Sequence, residues 1–372
     1  MHILFAGGGT AGHINPALAI AGYIKSQEPD TKISYIGTER NLESRLVPAA
    51  GYDFYTVDVS GFVRSFSPSA IVKNVSTVIK AVKASSKAKK LLKELKPDIV
   101  IGTGGYVSGP VLRTAAKLGI KTAIHEQNAF PGLTNKALAP DVDRIMLAMP
   151  EARKFMKLKT EPDNVGNPVR RELLLADRKA AREKLGLDTR PLILSFGGSL
   201  GAKPINDAVT GLIKYHNNSG KYYHIHAAGR AGYADMKANL DKECGNLADE
   251  IKLREYIDDM DVCMAAADLV ICRAGAITLG ELQACGKPSI LIPSPYVAEN
   301  HQYHNALTLK NNGAAELIEE KDLSGESLIK MVESLLNDSD KLLKMSTAAK
   351  ENAIIDSNER IYKIITELLS IS

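Results

Sequence analysis

Short apolar runs, each ended by a glycine-containing turn and followed by an amphipathic stretch, recur along the chain. In the first half the pattern predicts strands at His2–Ala6, Ile33–Gly37, Val57–Ser60, Asp98–Gly102, Lys121–His125 and Arg144–Ala148. It predicts helices over Ala17–Ile24, with Pro16 near the first turn, from Ala70 to Leu95, and from Pro110. In the second half strands are predicted at Pro191–Phe196, Tyr222–Ala227, Ile251–Leu253, Asp268–Cys272 and Ser289–Pro293. A helix opens near Ala276 and is stopped by Gly286 and Pro288. The end of the chain, Leu342 to Leu369, reads as a helical run. Strands that alternate with helices imply α/β architecture, with open parallel sheets that take ligands at their carboxyl ends.

The pattern restarts in mid-chain. PDNVGNPVR, Pro162–Arg170, carries two prolines and a glycine and reads as a linker. Gly8-Gly9-Thr10-Ala11-Gly12 and Gly197-Gly198-Ser199-Leu200-Gly201 share G-G-[ST]-x-G, each after a strand and before a helix. The expectation is two Rossmann-like doubly wound domains, 1–162 and 163–352, with their glycine turns facing one cleft. A length of 372 residues accommodates two such cores.

Composition narrows the class. Hydrophobic residues are 45% and charged residues 24%, as in soluble globular proteins. Four cysteines without a CxxC pair, and no secretion signal, favour free thiols over disulfides or zinc. No apolar run is long enough to cross a bilayer. A net charge of +4 does not suggest nucleic acid. Its distribution matters more: Gly61–Lys96 holds nine Lys/Arg and one acidic residue.

Candidate chemistry sits at the turns. Between Cys272 and the helix that opens at Ala276, backbone N–H groups and a positive helix end suit a phosphate. Glu281, about one turn in, could reach ribose hydroxyls, although acidic residues also favour such positions for stability alone. The first loop fits G-x-G-x-x-G, yet Glu39 lies beyond Gly37-Thr38, so a NAD fingerprint is imperfect. Of eight histidines, His2, His216, His224 and His226 read as structural. His13 follows the first glycine loop and His125 ends a strand, so both are candidates to act in the cleft. Asp141–Asp143 and Asp259–Asp261 are Asp-x-Asp strings, read as structural rather than metal-binding.

CRAGAITLGE followed by AENHQYHNA resembles the donor-nucleotide signature of the MurG family of UDP-N-acetylglucosamine transferases, and GGTAGH resembles that family's first loop. The resemblance covers nearly the whole chain. It implies a GT-B glycosyltransferase that moves GlcNAc from UDP-GlcNAc to undecaprenyl-diphosphate-linked MurNAc-pentapeptide at the membrane's cytoplasmic face, with no cofactor, no metal and no nucleic-acid partner. By analogy the last helix, 353–372, packs back on the first domain. His13 is then the expected base. Thr10, Gly12, Asn128, Arg170, Ser199, Arg273, Ala276, Ile277, Thr278 and Glu281 are expected around the donor. Uracil recognition is expected near Ile257 and sugar recognition at His301 and Gln302. Gly104, Gly105, Tyr106, His125, Glu126 and Asn128 are expected on the acceptor side. The chain departs from the family pattern in Ala11, where Gly is common, and in His301-Gln302, where two glutamines are common.

A polyprenyl acceptor requires a membrane-facing surface. Phe62, Phe66, Ile71, Val75, Val78 and Val82, with Lys73, Lys80, Lys83, Lys87, Lys89 and Lys90 around them, offer one toward anionic lipid. The other reading is an ordinary amphipathic helix with solvated lysines. Two other functions fit the architecture: a UDP-GlcNAc 2-epimerase, or a membrane scaffold that binds UDP-sugar without turnover.

Overall fold

The computed structural model describes residues 1–59, 83–217 and 219–370. The chain forms two compact units, Met1–Pro168 with Asp356–Ser372, and Val169–Ile355.

The first unit is a parallel sheet in the order β3-β2-β1-β4-β5-β6-β7. Its strands are β1 (His2–Gly7), β2 (Lys32–Gly37), β3 (Asp53–Thr56), β4 (Ile99–Gly104), β5 (Lys121–Glu126), β6 (Arg144–Leu147) and β7 (Asp163–Asn164). Helices α1 (Ala11–Gln27), α2 (Glu43–Ala49), α3 (83–95), α4 (Ser108–Lys117) and α5 (Leu133–Leu138) connect them. Strand β3 pairs as Ser34↔Asp53 through Gly37↔Thr56, four residues before the expected Val57–Ser60. β7 pairs with β6, so the expected linker still belongs to this sheet and the unit boundary falls at Pro168 rather than 162. Helix α1 begins at Ala11, six residues earlier than expected, with Pro16 inside it.

The last stretch is not one helix: α14 (Ser339–Glu351) ends before α15 (Ser357–Ser370) starts. α15 belongs to the first unit. Its Ile361, Ile364, Ile365 and Leu368 join Ile3, Phe5, Ile14, Ile20 and Ile24 in one core. Burying four such side chains contributes roughly 6–12 kcal/mol as an upper bound. Tyr362 donates to Glu28 at 2.6 Å and Ser357 donates to the Gly166 carbonyl at 3.1 Å.

The second unit is a parallel sheet ordered β10-β9-β8-β11-β12-β13. It comprises β8 (Leu192–Phe196), β9 (Tyr223–Ala227), β10 (Ile251–Arg254), β11 (Leu269–Cys272), β12 (Ser289–Leu291) and β13 (Ala315–Leu317). Its helices are α6 (Arg171–Leu175), α7 (Arg178–Leu185), α8 (Lys203–His216), α9 (Tyr233–Cys244), α10 (Met260–Ala266), α11 (Ala276–Ala284), α12 (His301–Asn311), α13 (Gly325–Leu336) and α14. Strand order reverses between β1 and β4 in the first unit and between β8 and β11 in the second. In open α/β sheets ligands bind outside the strand ends at such a reversal.

Of the membrane-facing residues, Phe62, Phe66, Ile71, Val75 and Lys80, with Lys73, Val78 and Val82, lie outside the described residues. In α3, Ala84, Ala88 and Leu92 are buried against the sheet at four-residue spacing. Lys83, Lys87, Lys89 and Lys90 are exposed. Glu94 lies 3.9 Å from Lys90.

Candidate functional site

In the first unit the β1–α1 loop crosses the strand reversal. Glu43, wholly buried at the start of α2, clamps it. One carboxylate oxygen accepts from the Thr38 N–H at 3.0 Å and the Thr38 hydroxyl at 2.7 Å; the other accepts from Gly9 N–H at 3.0 Å. Thr10 caps α1, so Gly12 and His13 stand in its first turn. The β4–α4 loop closes on this one. Gly104 has φ +107°, and a Cβ there would lie 2.6 Å from His13 Nδ1. A Cβ on Gly105 (φ +80°) would lie 2.3 Å from the Gly8 carbonyl oxygen. Only glycine permits both approaches. Tyr106 beside them is 57% exposed. His13 is part-exposed, and its Nδ1 lies 3.3 Å from Gln127 Oε1.

His125 and Glu126 are expected in the acceptor site, but both are buried. The His125 ring bonds the Gly166 carbonyl at 3.0 Å, and burial lowers its pKa, so it stays neutral. The Glu126 carboxylate accepts from the Asn128 N–H (3.0 Å) and side chain (3.1 Å), the Gly132 N–H (3.1 Å) and Asn135 (2.9 Å). Both are tied to backbone and side-chain groups around the loop after β5. Gln127, which sequence reasoning passed over, follows Glu126 and is buried beside His125. Its Nε2 is 3.1 Å from the Thr103 carbonyl, 3.0 Å from the His125 carbonyl and 3.0 Å from His125 Nδ1.

In the second unit Ser199 is exposed in the β8–α8 turn. Gly201 and Gly229 back this turn: a Cβ on Gly229 would meet Gly201 N at 2.1 Å. Across the strand reversal, Gly275 caps α11, and Ala276, Ile277 and Thr278 form its first turn, the end whose N–H groups have no intrahelical acceptor. Glu281, 6% exposed, accepts from Arg170 Nε at 2.7 Å, while that arginine remains half exposed. Arg273, expected to hold diphosphate, donates instead to the Ile292 carbonyl (3.1 Å) and to Glu320 (2.5 Å). Both partners of that ion pair are largely buried, so Arg273 is a strut. Asn305, inside AENHQYHNA but given no role there, ties α12 to this turn by donating to the Ala274 carbonyl at 3.2 Å.

Glu299 and Asn300, both non-glycine, adopt positive φ (56° and 49°) just before α12. This strained kink sets the direction of the next two side chains. His301 Nδ1 bonds the Ala298 carbonyl at 2.7 Å, and Gln302 Oε1 accepts from Ser294 N–H at 2.9 Å. Ile257 is buried, so only backbone groups are available there. The Asp-x-Asp strings have structural partners. Asp143 accepts from Thr122 N–H and hydroxyl (2.7 and 2.9 Å), Asp141 lies 3.5 Å from Arg113, and Asp259 accepts from Arg254 at 2.6 Å. Among the described residues no helix is long and apolar enough to cross a membrane.

Residues 3–147 match the glycosyltransferase family 28 N-terminal domain and residues 192–361 its C-terminal domain. A protein from Acetivibrio thermocellus named UDP-N-acetylglucosamine–N-acetylmuramyl-(pentapeptide) pyrophosphoryl-undecaprenol N-acetylglucosamine transferase is 48% identical over 99% of this chain and 98% of its own. One of the same name from Bacillus cytotoxicus is 41% identical over 99% of this chain and all of its own length. The crystal structure of Acinetobacter baumannii MurG superposes with a TM-score of 0.82 at 30% identity, covering 98% of this chain and 99% of that one. A UDP-GlcNAc 2-epimerase from Neisseria meningitidis reaches a TM-score of 0.65 at 13% identity over the full length of both chains, a likeness of fold alone.

Proposed function

The chain belongs to the MurG family of glycosyltransferase family 28, and from that premise we propose that it transfers GlcNAc from UDP-GlcNAc to MurNAc-pentapeptide on undecaprenyl diphosphate, making the lipid-linked disaccharide of peptidoglycan. Similarity along nearly the whole chain to transferases named for this reaction carries the reading. The epimerase alternative has only the shared fold in its favour.

The acceptor's 4-hydroxyl oxygen attacks the anomeric carbon of GlcNAc from the face opposite UDP. The hydroxyl proton passes to His13, the C1–O bond to the β-phosphate breaks, and UDP leaves with the bonding pair, giving the β-1,4 link. Support for His13 as base is its place in the first turn of α1, ring part-exposed and one edge held by Gly104 and Gln127. The leaving diphosphate is stabilised by the first turn of α11 and by the Ser199 turn, with Arg170 as the available cation. This set needs no divalent ion. Glu281 accepts from the ribose diol, and Gln302 and His301 meet the sugar. The acceptor's lipid tail requires work at a membrane surface, which the basic outer face of α3 supports.

His13→Ala lowers turnover by about 10²–10⁴ while UDP-GlcNAc binding persists, and chelator leaves the wild-type rate unchanged. Retained turnover in that variant, or chelator inhibition reversed by Mg²⁺, contradicts the mechanism.

A further inference from the structure

We propose that Gln127 is a positioning residue that fixes His13 as the Nδ1-protonated tautomer, so that Nε2 presents its lone pair to the acceptor hydroxyl. The inference rests on the reading of His13 as base and explains how the base is kept ready. Gln127 is 1% exposed, and its terminal amide has two ends with different chemistry. One end lies 3.1 Å from the Thr103 carbonyl and 3.0 Å from the His125 carbonyl. Carbonyl oxygens only accept, so that end is the NH2 group. The other end, Oε1, is therefore turned toward His13 Nδ1 at 3.3 Å. An amide oxygen cannot donate, so Nδ1 carries the proton. On a neutral ring Nε2 is then the acceptor.

The far side of the amide obeys the same logic. Gln127 Nε2 lies 3.0 Å from His125 Nδ1, and the Gly166 carbonyl facing His125 Nε2 can only accept. His125 therefore carries its proton on Nε2 and donates it to the Gly166 carbonyl at 3.0 Å, an oxygen that also accepts from Ser357 at the start of α15. Two histidines of opposite tautomer flank one amide, and the buried one locks the amide that orders the exposed one. Turning the His13 ring over would set a C–H against Oε1. Gly104, packed on the Nδ1–Cε1 edge, leaves no room for a larger residue that could take over the bond.

The test uses full-length protein labelled with 15N-histidine and two-bond 1H–15N correlation spectra at a pH where the rings are neutral, with His13→Ala assigning the His13 signals. In the wild type, His13 shows the Nδ1–H pattern and His125 the Nε2–H pattern. In Gln127→Met, similar in length but unable to accept from Nδ1, His13 becomes a tautomer mixture. Its kcat falls about three- to tenfold, the scale of one hydrogen bond, while KM for UDP-GlcNAc is unchanged. A wild-type His13 protonated on Nε2 overturns the proposal even if the variant does not fold. So does a Gln127→Met enzyme that keeps both the Nδ1–H pattern and wild-type kcat. Failure of the base reading is separate: it shows as full turnover in His13→Ala, whatever the spectra.

Discussion

Replacing Glu43 by Gln tests whether the first loop is held as the geometry implies. The change is nearly isosteric, so no cavity opens. The native carboxylate, wholly buried, accepts three hydrogen bonds, two from Thr38 and one from Gly9. A Gln side chain keeps one acceptor oxygen. Placed toward Thr38 it preserves two bonds and turns its NH2 group against the Gly9 N–H, donor against donor. A hydrogen bond to a charged group contributes about 1.5–3 kcal/mol, and an orphaned buried donor costs about 1–3 kcal/mol. The two overlap, so the variant loses about 2–3 kcal/mol. For a unit of this size that lowers the melting transition by about 4–12 °C. Gly9 precedes the turn that carries His13, so kcat also falls, while UDP affinity stays at the wild-type level. Calorimetric melting, titration with UDP and a transfer assay measure all three. An unchanged melting temperature with unchanged kcat would refute the clamp.

Gly104→Ala sets a methyl where His13 stands and strains a φ of +107°; kcat should drop by about tenfold or more with UDP affinity intact, and an unaffected rate would show that the ring's position is unimportant. Glu281→Ala should weaken UDP binding by about tenfold or more in calorimetry, and wild-type affinity in a folded variant would remove Glu281 from the donor site. Lys83→Glu with Lys87→Glu should reduce sedimentation with anionic liposomes at low salt, each lysine near the surface contributing about 1 kcal/mol; binding indifferent to both changes and to salt would make α3 an ordinary solvated helix. In the second unit a buried chain links His216, His224, Ser195 and His226. Burial pushes His216 down to about 4 and His226 to about 3, and lowers His224 as well. These rings stay neutral when folded, whereas the unfolded chain protonates below about 6.5. Their contribution is therefore complete above that pH and is lost as pH falls toward 4, by about 1.4 kcal/mol per pH unit per histidine. Urea unfolding at pH 7.5 and 5.5 should differ by a few such steps, and equal stability would contradict the assignment.

The strand and turn rhythm made both sheets legible, because buried parallel strands read as short apolar runs closed by glycine. Register was less legible: β3 occupies Asp53–Thr56 because pairing with β2 fixes it there, although Val57–Ser60 is as apolar. The terminal helical run hid a break at Asn352–Asp356 that divides it between the two units. Within the site, residue type did not reveal burial or partners. His125, Glu126 and Arg273 look reactive in sequence, yet each is spent on neighbouring backbone or carboxylate. Glu43 and Gln127 carry no pattern of their own, and Asn305, though inside AENHQYHNA, carries no assigned role there. Their partners lie far along the chain, so only the fold reveals them.

The central claim is transfer to a lipid-linked muramyl acceptor. Purified protein is incubated with UDP-GlcNAc, with and without a short-chain polyprenyl-diphosphate MurNAc-pentapeptide, and products are read by mass spectrometry. The account predicts UDP and a disaccharide-bearing lipid in equal amounts, formed only with acceptor, and an unaltered donor sugar without it. Epimerised sugar without acceptor, or binding of UDP-GlcNAc with no release of UDP in either mixture, would contradict it.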